Sequence, residues 1–280
     1  MTKLTINWQT AVGLAVVHLG ALAALWGGFF SWSAIAVVFA LLYLTGALGI
    51  TLNYHRTLTH KSVRLIKPLE YATAILGALA LQGGPIEWVS THRAHHAHSD
   101  HHGDPHDSNL GFSWAHFRWL FFPNGAMLTK QEQARMAPDL CAQPFYLRLE
   151  KHTVLLQVIL GIILFVFGGW SWVIWGVFVR LVLSYHLTWL INSAAHSSGY
   201  QTFKTGDRST NCWWIALLSW GEGWHNNHHA FPFSARHGLR WFEVDHTWHV
   251  IKALAWLGLA RDVKVPTGVM QNRLRLNRAA

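Results

Sequence analysis

Four apolar stretches, residues 11–30, 33–52, 153–169 and 171–191, set the limits on what this chain can become. Each approaches the roughly 20 residues that an α-helix needs to cross a hydrocarbon core. In lipid, only helices and closed barrels satisfy their own backbone hydrogen bonds. Short links join the stretches in pairs, around Gly27, Gly28 and Ser31 in the first and at Gly168 and Gly169 in the second. The pattern predicts an all-α integral membrane protein with four spans in two hairpins. Composition agrees: 51% of the 280 residues are hydrophobic, 12% are charged and 17 are tryptophan. A soluble domain is about one quarter charged.

Residues 69–81 are apolar but too short to span, which predicts a buried or re-entrant helix. Residues 103–151 are polar, with prolines at 105, 123, 138 and 144, and an amphipathic helix is expected near 241–260. The whole chain, 1–280, therefore reads as a single domain, with a cytosolic helical cap built from 53–152 and 192–280. Lys3 followed by an apolar run resembles a signal peptide. A second full-length run follows at once, so the first is expected to be a retained span. With both termini cytoplasmic, 21 of the 22 Lys and Arg residues fall on that side, the exception being Arg180 within the last span. That asymmetry follows the positive-inside rule and predicts a multi-pass protein of a bacterial inner membrane, or of a thylakoid in a cyanobacterium. The net charge of +9 then describes a surface facing the bilayer, and no motif points to nucleic acid. Cys141 and Cys212 show no pairing pattern, which excludes a disulfide framework.

Histidines gather just past the apolar runs. Residues 87–107 hold seven of them, beginning with H-x-x-H-H at His92, His95 and His96, and the same motif recurs at His225, His228 and His229. On a helix, positions i, i+3 and i+4 share a face, so three imidazoles converge. His55 and His60 form H-x4-H, and Asn192 and His196 form N-x3-H. Nine such histidines exceed the four that saturate a tetrahedral zinc, and predict a dinuclear site in which Asn192 holds a water. His98, His101, His102 and His106 lack ligand spacing and are expected on the surface or behind the ligands. His18 and His186 lie inside spans and are expected to bond within the bundle. Arg180 has no partner that the sequence names. Asp104, Asp107, Asp207 and Glu222 are candidates either to orient a ligand imidazole or to cap a loop.

Imidazole suits Fe, Zn, Cu and Ni alike. A zinc pair that activates water usually brings a carboxylate ligand, and none is evident. Iron with open positions binds O2 and attacks unactivated C–H bonds, work suited to a lipid beside a bilayer. A metal transporter would hold its ligands near the midplane, whereas these cluster past the span ends.

From residue 45 to about 260 the chain resembles the membrane fatty-acid desaturases. The similarity is to the Δ9 group, which includes stearoyl-CoA desaturases and cyanobacterial acyl-lipid Δ9 desaturases. It rests on NYHRTLTH, QGGPIEWVSTHRAHHAHSD, DPHDSNLGF, WLINSAAH, GDRSTNCWW and GEGWHNNHHAFP. The resemblance implies two irons held by His55, His60, His92, His95, His96, His196, His225, His228 and His229, with Asn192 acting through water and O2 as co-substrate. It implies insertion of a cis double bond at C9 of a saturated C16 or C18 acyl chain, lipid- or CoA-linked; a histidine-box hydroxylase is the alternative. Animal relatives bend the acyl tunnel with a Gln, a Trp and a Thr, matched here by Gln82, Trp88 and Thr188, with Trp189 on the same tunnel. A Tyr of the second span closes it, which implies that role for Tyr43, with Ala47 nearby. Tyr43 precedes His55 by twelve residues, roughly 18 Å along an α-helix. These 280 residues include no cytochrome b5 domain, so electrons are expected from an external donor, ferredoxin or cytochrome b5-like.

Overall fold

The computed structural model describes residues 6–122 and 128–276; Lys3, Pro123 and the end of the basic tail lie outside them. The principal helices are α1 (Trp8–Leu22), α2 (Trp32–Leu42), α3 (Lys67–Ala78), α4 (Pro85–His98), α5 (Thr153–Val173), α6 (Arg180–Ser193), α7 (His225–Ala230) and α8 (His246–Trp256). Beside them the chain forms one antiparallel ladder of two-residue strands, β1 (Arg64–Leu65) with β2 (Ala260–Arg261), a small departure from an all-α fold.

Among the described residues, three helical runs are long and apolar enough to cross a membrane: Trp8–Leu25, Trp32–Thr59 and Thr153–His196. The third, at 44 residues, would measure about 66 Å if straight, roughly twice a hydrocarbon core. It is not straight. Gly169 adopts φ 60° and ψ −157° within α5, a conformation open to glycine. The chain folds back there, so that Gly161 faces Val177 and Gly176 faces Leu164. Val17, Leu164, Val173, Val177, Leu181 and Tyr185 form the core between these helices. Their outer faces expose Val12, Val16, Leu19, Phe39, Ile162 and Val166, an apolar band that water would oppose and lipid accepts.

Arg180 is fully buried, with no carboxylate beside it among the described residues. Its guanidinium donates to the Leu79 and Gly176 carbonyls at 2.7 and 3.0 Å and to Gln157 Oε1 at 2.9 Å. It therefore fastens α6 to α5 and to the end of α3. His18 and His186 do bond within the bundle, their Nε2 atoms 3.3 Å apart, and His186 Nδ1 continues to His116 Nε2 at 3.0 Å.

The second run does not end at residue 52. It continues as a π-wound segment, Tyr43–Thr59, so His55 lies inside a helix and His60 caps it. Thr57 and Thr59 donate their hydroxyls to the carbonyls of Leu52 and Tyr54, five residues back. Threonines and glycines are weak α-formers, and threonine hydroxyls compete for helix carbonyls. Because π-winding packs more residues into each turn, Tyr43 lies nearer to His55 than the α-helical spacing predicts.

This segment is the hub of the fold. Ile50, Tyr54, Ala74, Val89, Leu140 and Tyr146 join it to α3, α4 and the short helices that follow. Leu52, Leu65, Ala235 and Ile251 join it to the strand pair and α8. Contact with α3 depends on glycine: a Cβ on Gly49 would sit 2.4 Å from the Gly77 backbone nitrogen. Gly49→Ala should therefore destabilise the protein by about 1–3 kcal/mol through overpacking. A melting temperature in detergent equal to the parent's would show that the two helices separate at no cost.

Candidate metal centre

The nine motif histidines converge in two groups. His55, His60, His92, His96 and His228 form one, and His95, His196, His225 and His229 the other; within each, ligand-capable atoms lie within 4.8 Å of one another. The π-wound segment supplies His55 and His60, α4 supplies His92, His95 and His96, and α7 supplies His225, His228 and His229. His196 closes the short turn after α6. The two H-x-x-H-H motifs are each split. His92 and His96 go one way and His95 the other, while His228 separates from His225 and His229.

The outward nitrogens decide which atoms point inward. His55 Nδ1 faces Glu222 at 2.7 Å, His95 Nδ1 faces Asp104 at 2.9 Å, His196 Nδ1 faces Asp100 at 2.8 Å, and His229 Nδ1 faces Asp207 at 2.7 Å. A carboxylate accepts, so each Nδ1 carries the proton and each Nε2 presents a bare lone pair. Those Nε2 atoms face other Nε2 atoms: His225 lies 3.0 Å from both His196 and His229, His95 lies 3.4 Å from His229, and His55 lies 3.1 Å from His228. His60 Nε2 is buried with no hydrogen-bond partner. Converging lone pairs repel unless a cation sits among them, and the donor set therefore fits metal.

Charge supports the same fit. Burial, then the neighbouring histidines, pushes His60, His92 and His96 well below the usual imidazole range. Burial brings His229 down to about 4 against the pull of Asp207. The rings are thus neutral, as ligands must be. Burial alone would raise Asp100, Asp104, Asp207 and Glu222; the facing histidines, with Arg56 beside Glu222, outweigh it and hold all four ionised. Asp107 instead caps a loop, its Oδ1 accepting from the Asn109 N–H. His98, His101 and His102 are exposed, whereas His106 is buried and packs against the His95 ring at 4.2 Å.

Asp100 escapes a reading of the motifs, although it follows His96 by four residues, just past the end of α4. It accepts from His196 Nδ1 and from the backbone N–H groups of Ser108 and Arg208. Asp100→Asn should weaken metal retention about 10–100-fold, read as metal content after dialysis against a graded chelator. Parent-like retention would remove Asp100 from any role in orienting His196.

Arg56 is also missed. It is fully buried and forks between Glu222 and Asp245, donating to both Asp245 oxygens at 2.9–3.0 Å and to Glu222 Oε1 at 3.0 Å. Asp245 in turn caps α8 and accepts from the His237 N–H. The available signal was a charged side chain set between the two histidines of H-x4-H.

Below the histidines a narrow cleft runs between the π-wound segment and α6, lined by Gly46, Ile50, Thr51, Leu187, Ile191 and Trp220. It meets a wider vestibule of about 650 Å³ at Trp88, His92, Thr188 and Asn192. Of the residues expected on a tunnel, Trp88 and Thr188 line the cleft, and Gln82 and Trp189 line the vestibule. Gln82 braces the junction, donating to Thr188 Oγ1 at 3.0 Å and Ser184 Oγ at 3.1 Å. Tyr43 and Ala47 line neither cavity; the Tyr43 hydroxyl turns toward α8, 3.1 Å from His246 Nε2.

The model of the family described as fatty acid desaturase matches residues 30–261. The sn-1 stearoyl-lipid 9-desaturase of Anabaena variabilis is 52% identical over 94% of this chain and 96% of its own length. The sn-2 palmitoyl-lipid 9-desaturase of Nostoc sp. (strain 36) is 48% identical over 92% of this chain and 90% of its own. The Acyl-CoA C20 Delta5-desaturase of Anemone leveillei is 46% identical over 88% and 78% respectively. The chain belongs to the fatty acid desaturase family.

Proposed function

We propose that the protein is an oxygen-dependent Δ9 desaturase, which inserts a cis double bond at C9 of a saturated C16 or C18 acyl chain carried on a glycerolipid. The observation that carries the reading is the convergence of bare imidazole lone pairs at the mouth of an apolar cleft, where it meets the vestibule. The 9-desaturases among the relatives support the position of the double bond, and their lipid substrates support the carrier.

His55, His60, His92, His96 and His228 would hold one iron, and His95, His196, His225 and His229 the other, with Asn192 acting through a water. When bound, two irons supply the activation of O2 and the removal of two hydrogens, which no side chain performs. The four carboxylates behind the ligands carry four negative charges, which balance two divalent cations in a buried site. They also hold the imidazole tautomers that keep Nε2 free. Trp88 and Thr188, at the junction of cleft and vestibule, set the reacting carbons beside the histidines. The cleft takes the methyl half of the chain and excludes water, and the vestibule takes the carboxyl end with its carrier. The rest of the arrangement follows from the apolar runs. A single domain crosses the membrane four times in two hairpins, both termini are cytoplasmic, and the cap of 53–152 and 192–280 covers the centre. The membrane is a bacterial inner membrane or a thylakoid, and a ferredoxin or a cytochrome b5-like protein delivers the two electrons from outside.

Expression in a host lacking Δ9 activity, followed by fatty-acid analysis of glycerolipids and acyl-CoA, tests the reading. New 16:1 and 18:1 unsaturated at C9, appearing first in glycerolipid under pulse labelling, is expected. Alcohols in place of alkenes would turn the reading to hydroxylation, and no new product with iron and reductant supplied would overturn it.

A further inference from the structure

The turn Ser219–Trp220–Gly221 ends the helix Trp213–Leu218 in an unusual way. The Gly221 N–H reaches back to the Ala216 carbonyl at 2.8 Å, the long closing bond of a helix C-terminal turn whose preceding residue is left-handed and usually glycine. Here that residue is tryptophan, with φ +56°. A bulky side chain in this region is an outlier, and such strain gathers where a side chain is required for function. The local backbone therefore favours glycine at 220. What tryptophan contributes has to come from its indole.

The indole is seated on Gly46. A Cβ on residue 46 would lie 2.4 Å from two atoms of the Trp220 six-membered ring, so only glycine leaves room for it. The Trp220 carbonyl accepts from both the backbone N–H and the hydroxyl of Thr247, each at 3.0 Å, which fixes the turn against the first residues of α8. Both Gly46 and Trp220 line the cleft. Along the π-wound segment the lining runs from His55 through Thr51 and Ile50 to Gly46. Along α6 it runs from Asn192 through Thr188 to Ser184, about 12 Å at 1.5 Å per residue. Trp220 thus meets the cleft at its end away from the histidines, where the methyl end of an acyl chain arrives.

We propose that Trp220, seated on Gly46, is the floor of the acyl cleft and sets the longest chain the enzyme accepts, a role that Tyr43 does not have. The inference rests on the desaturase reading given above. Each methylene buried or refused is worth a few-fold in preference, so moving the floor by two carbons should change selection between neighbouring even-numbered chains on the order of tenfold.

The test compares the parent with Trp220→Gly, Trp220→Phe and Tyr43→Ala in membranes supplied with 16:0, 18:0 and 20:0 chains. Product length and double-bond position are read by mass spectrometry. Trp220→Gly suits the left-handed backbone, and Trp220→Phe, which keeps an aromatic ring against Gly46, carries the test should the larger deletion weaken folding. The expected result is a roughly tenfold rise of 20:1 relative to 18:1 in Trp220→Gly, a smaller rise in Trp220→Phe, no change in Tyr43→Ala, and a double bond that stays at C9. A parent-like length profile in Trp220→Gly overturns the inference, as does lengthening in Tyr43→Ala alone or a double bond that moves from C9. Absence of C9 product in the parent is a separate outcome: it removes the desaturase reading itself.

Discussion

His95→Ala is expected to abolish C9 unsaturation and to leave the purified protein short of one of the two metal equivalents proposed for it. His95 is 1% exposed, its Nε2 faces His229, and its Nδ1 is held by Asp104. Truncation removes one of four donors in its group and leaves the buried Asp104 carboxylate with only the backbone N–H groups of Asp100 and His106 as hydrogen-bond donors among the described residues. The loss in turnover should exceed the 10–100-fold typical of removing a partner behind a ligand. His98→Ala, six residues from His92 but exposed, should retain parent activity and full metal content. Iron measured by elemental analysis, together with the 18:1 fraction, checks both variants. Parent-level activity in His95→Ala would be incompatible with the assigned ligand set.

Arg56→Met carries the largest expected loss of stability. The guanidinium is the only cation between Glu222 and Asp245 among the described residues, and all three groups are buried. Removing one member of a buried ionic cluster costs about 3–5 kcal/mol, because the remaining charges stay desolvated and unpaired. Arg56→Lys keeps the charge without the planar fork that serves two carboxylates at once, so it should fall between the parent and Arg56→Met. The measurement is thermal unfolding in detergent micelles at neutral pH. Neutralising all the partners together, with Glu222→Gln and Asp245→Asn added to Arg56→Met, should recover part of the loss, since no unpaired charge remains. An unchanged melting temperature in Arg56→Met would mean that water reaches the cluster.

The cluster also links stability to chemistry. Glu222 accepts from Arg56 and from His55 Nδ1, so the group that holds the fold together also sets the tautomer of a candidate ligand. Loss of Arg56 is therefore expected to lower metal retention in the five-histidine group before the four-histidine group. The latter is backed by Asp100, Asp104 and Asp207 instead.

What could be read from the sequence was local. Apolar runs and their glycine links marked the hairpins because hydrophobicity and φ preference act residue by residue. H-x-x-H-H marked converging imidazoles because positions three and four apart share a helix face. The division of each motif between two groups was not legible: neighbouring histidines on one face diverge only when a second helix arrives from elsewhere. Asp104 and Asp207 could be suspected from their nearness in sequence. The bonds from Arg56 to Glu222 and Asp245, by contrast, span 166 and 189 residues.

The end of the cleft shows the same division. The sequence alone determined that this chain is a membrane-embedded helical protein with nine metal-seeking histidines, since composition, run length and spacing are properties of the chain itself. Tertiary structure decided that the second apolar run continues as a π-wound segment from Tyr43 to Thr59, that Tyr43 turns toward α8, and that an indole from a strained turn rests on Gly46. Such contacts depend on how segments distant in sequence fill the same space, and close packing admits only one side chain at each point.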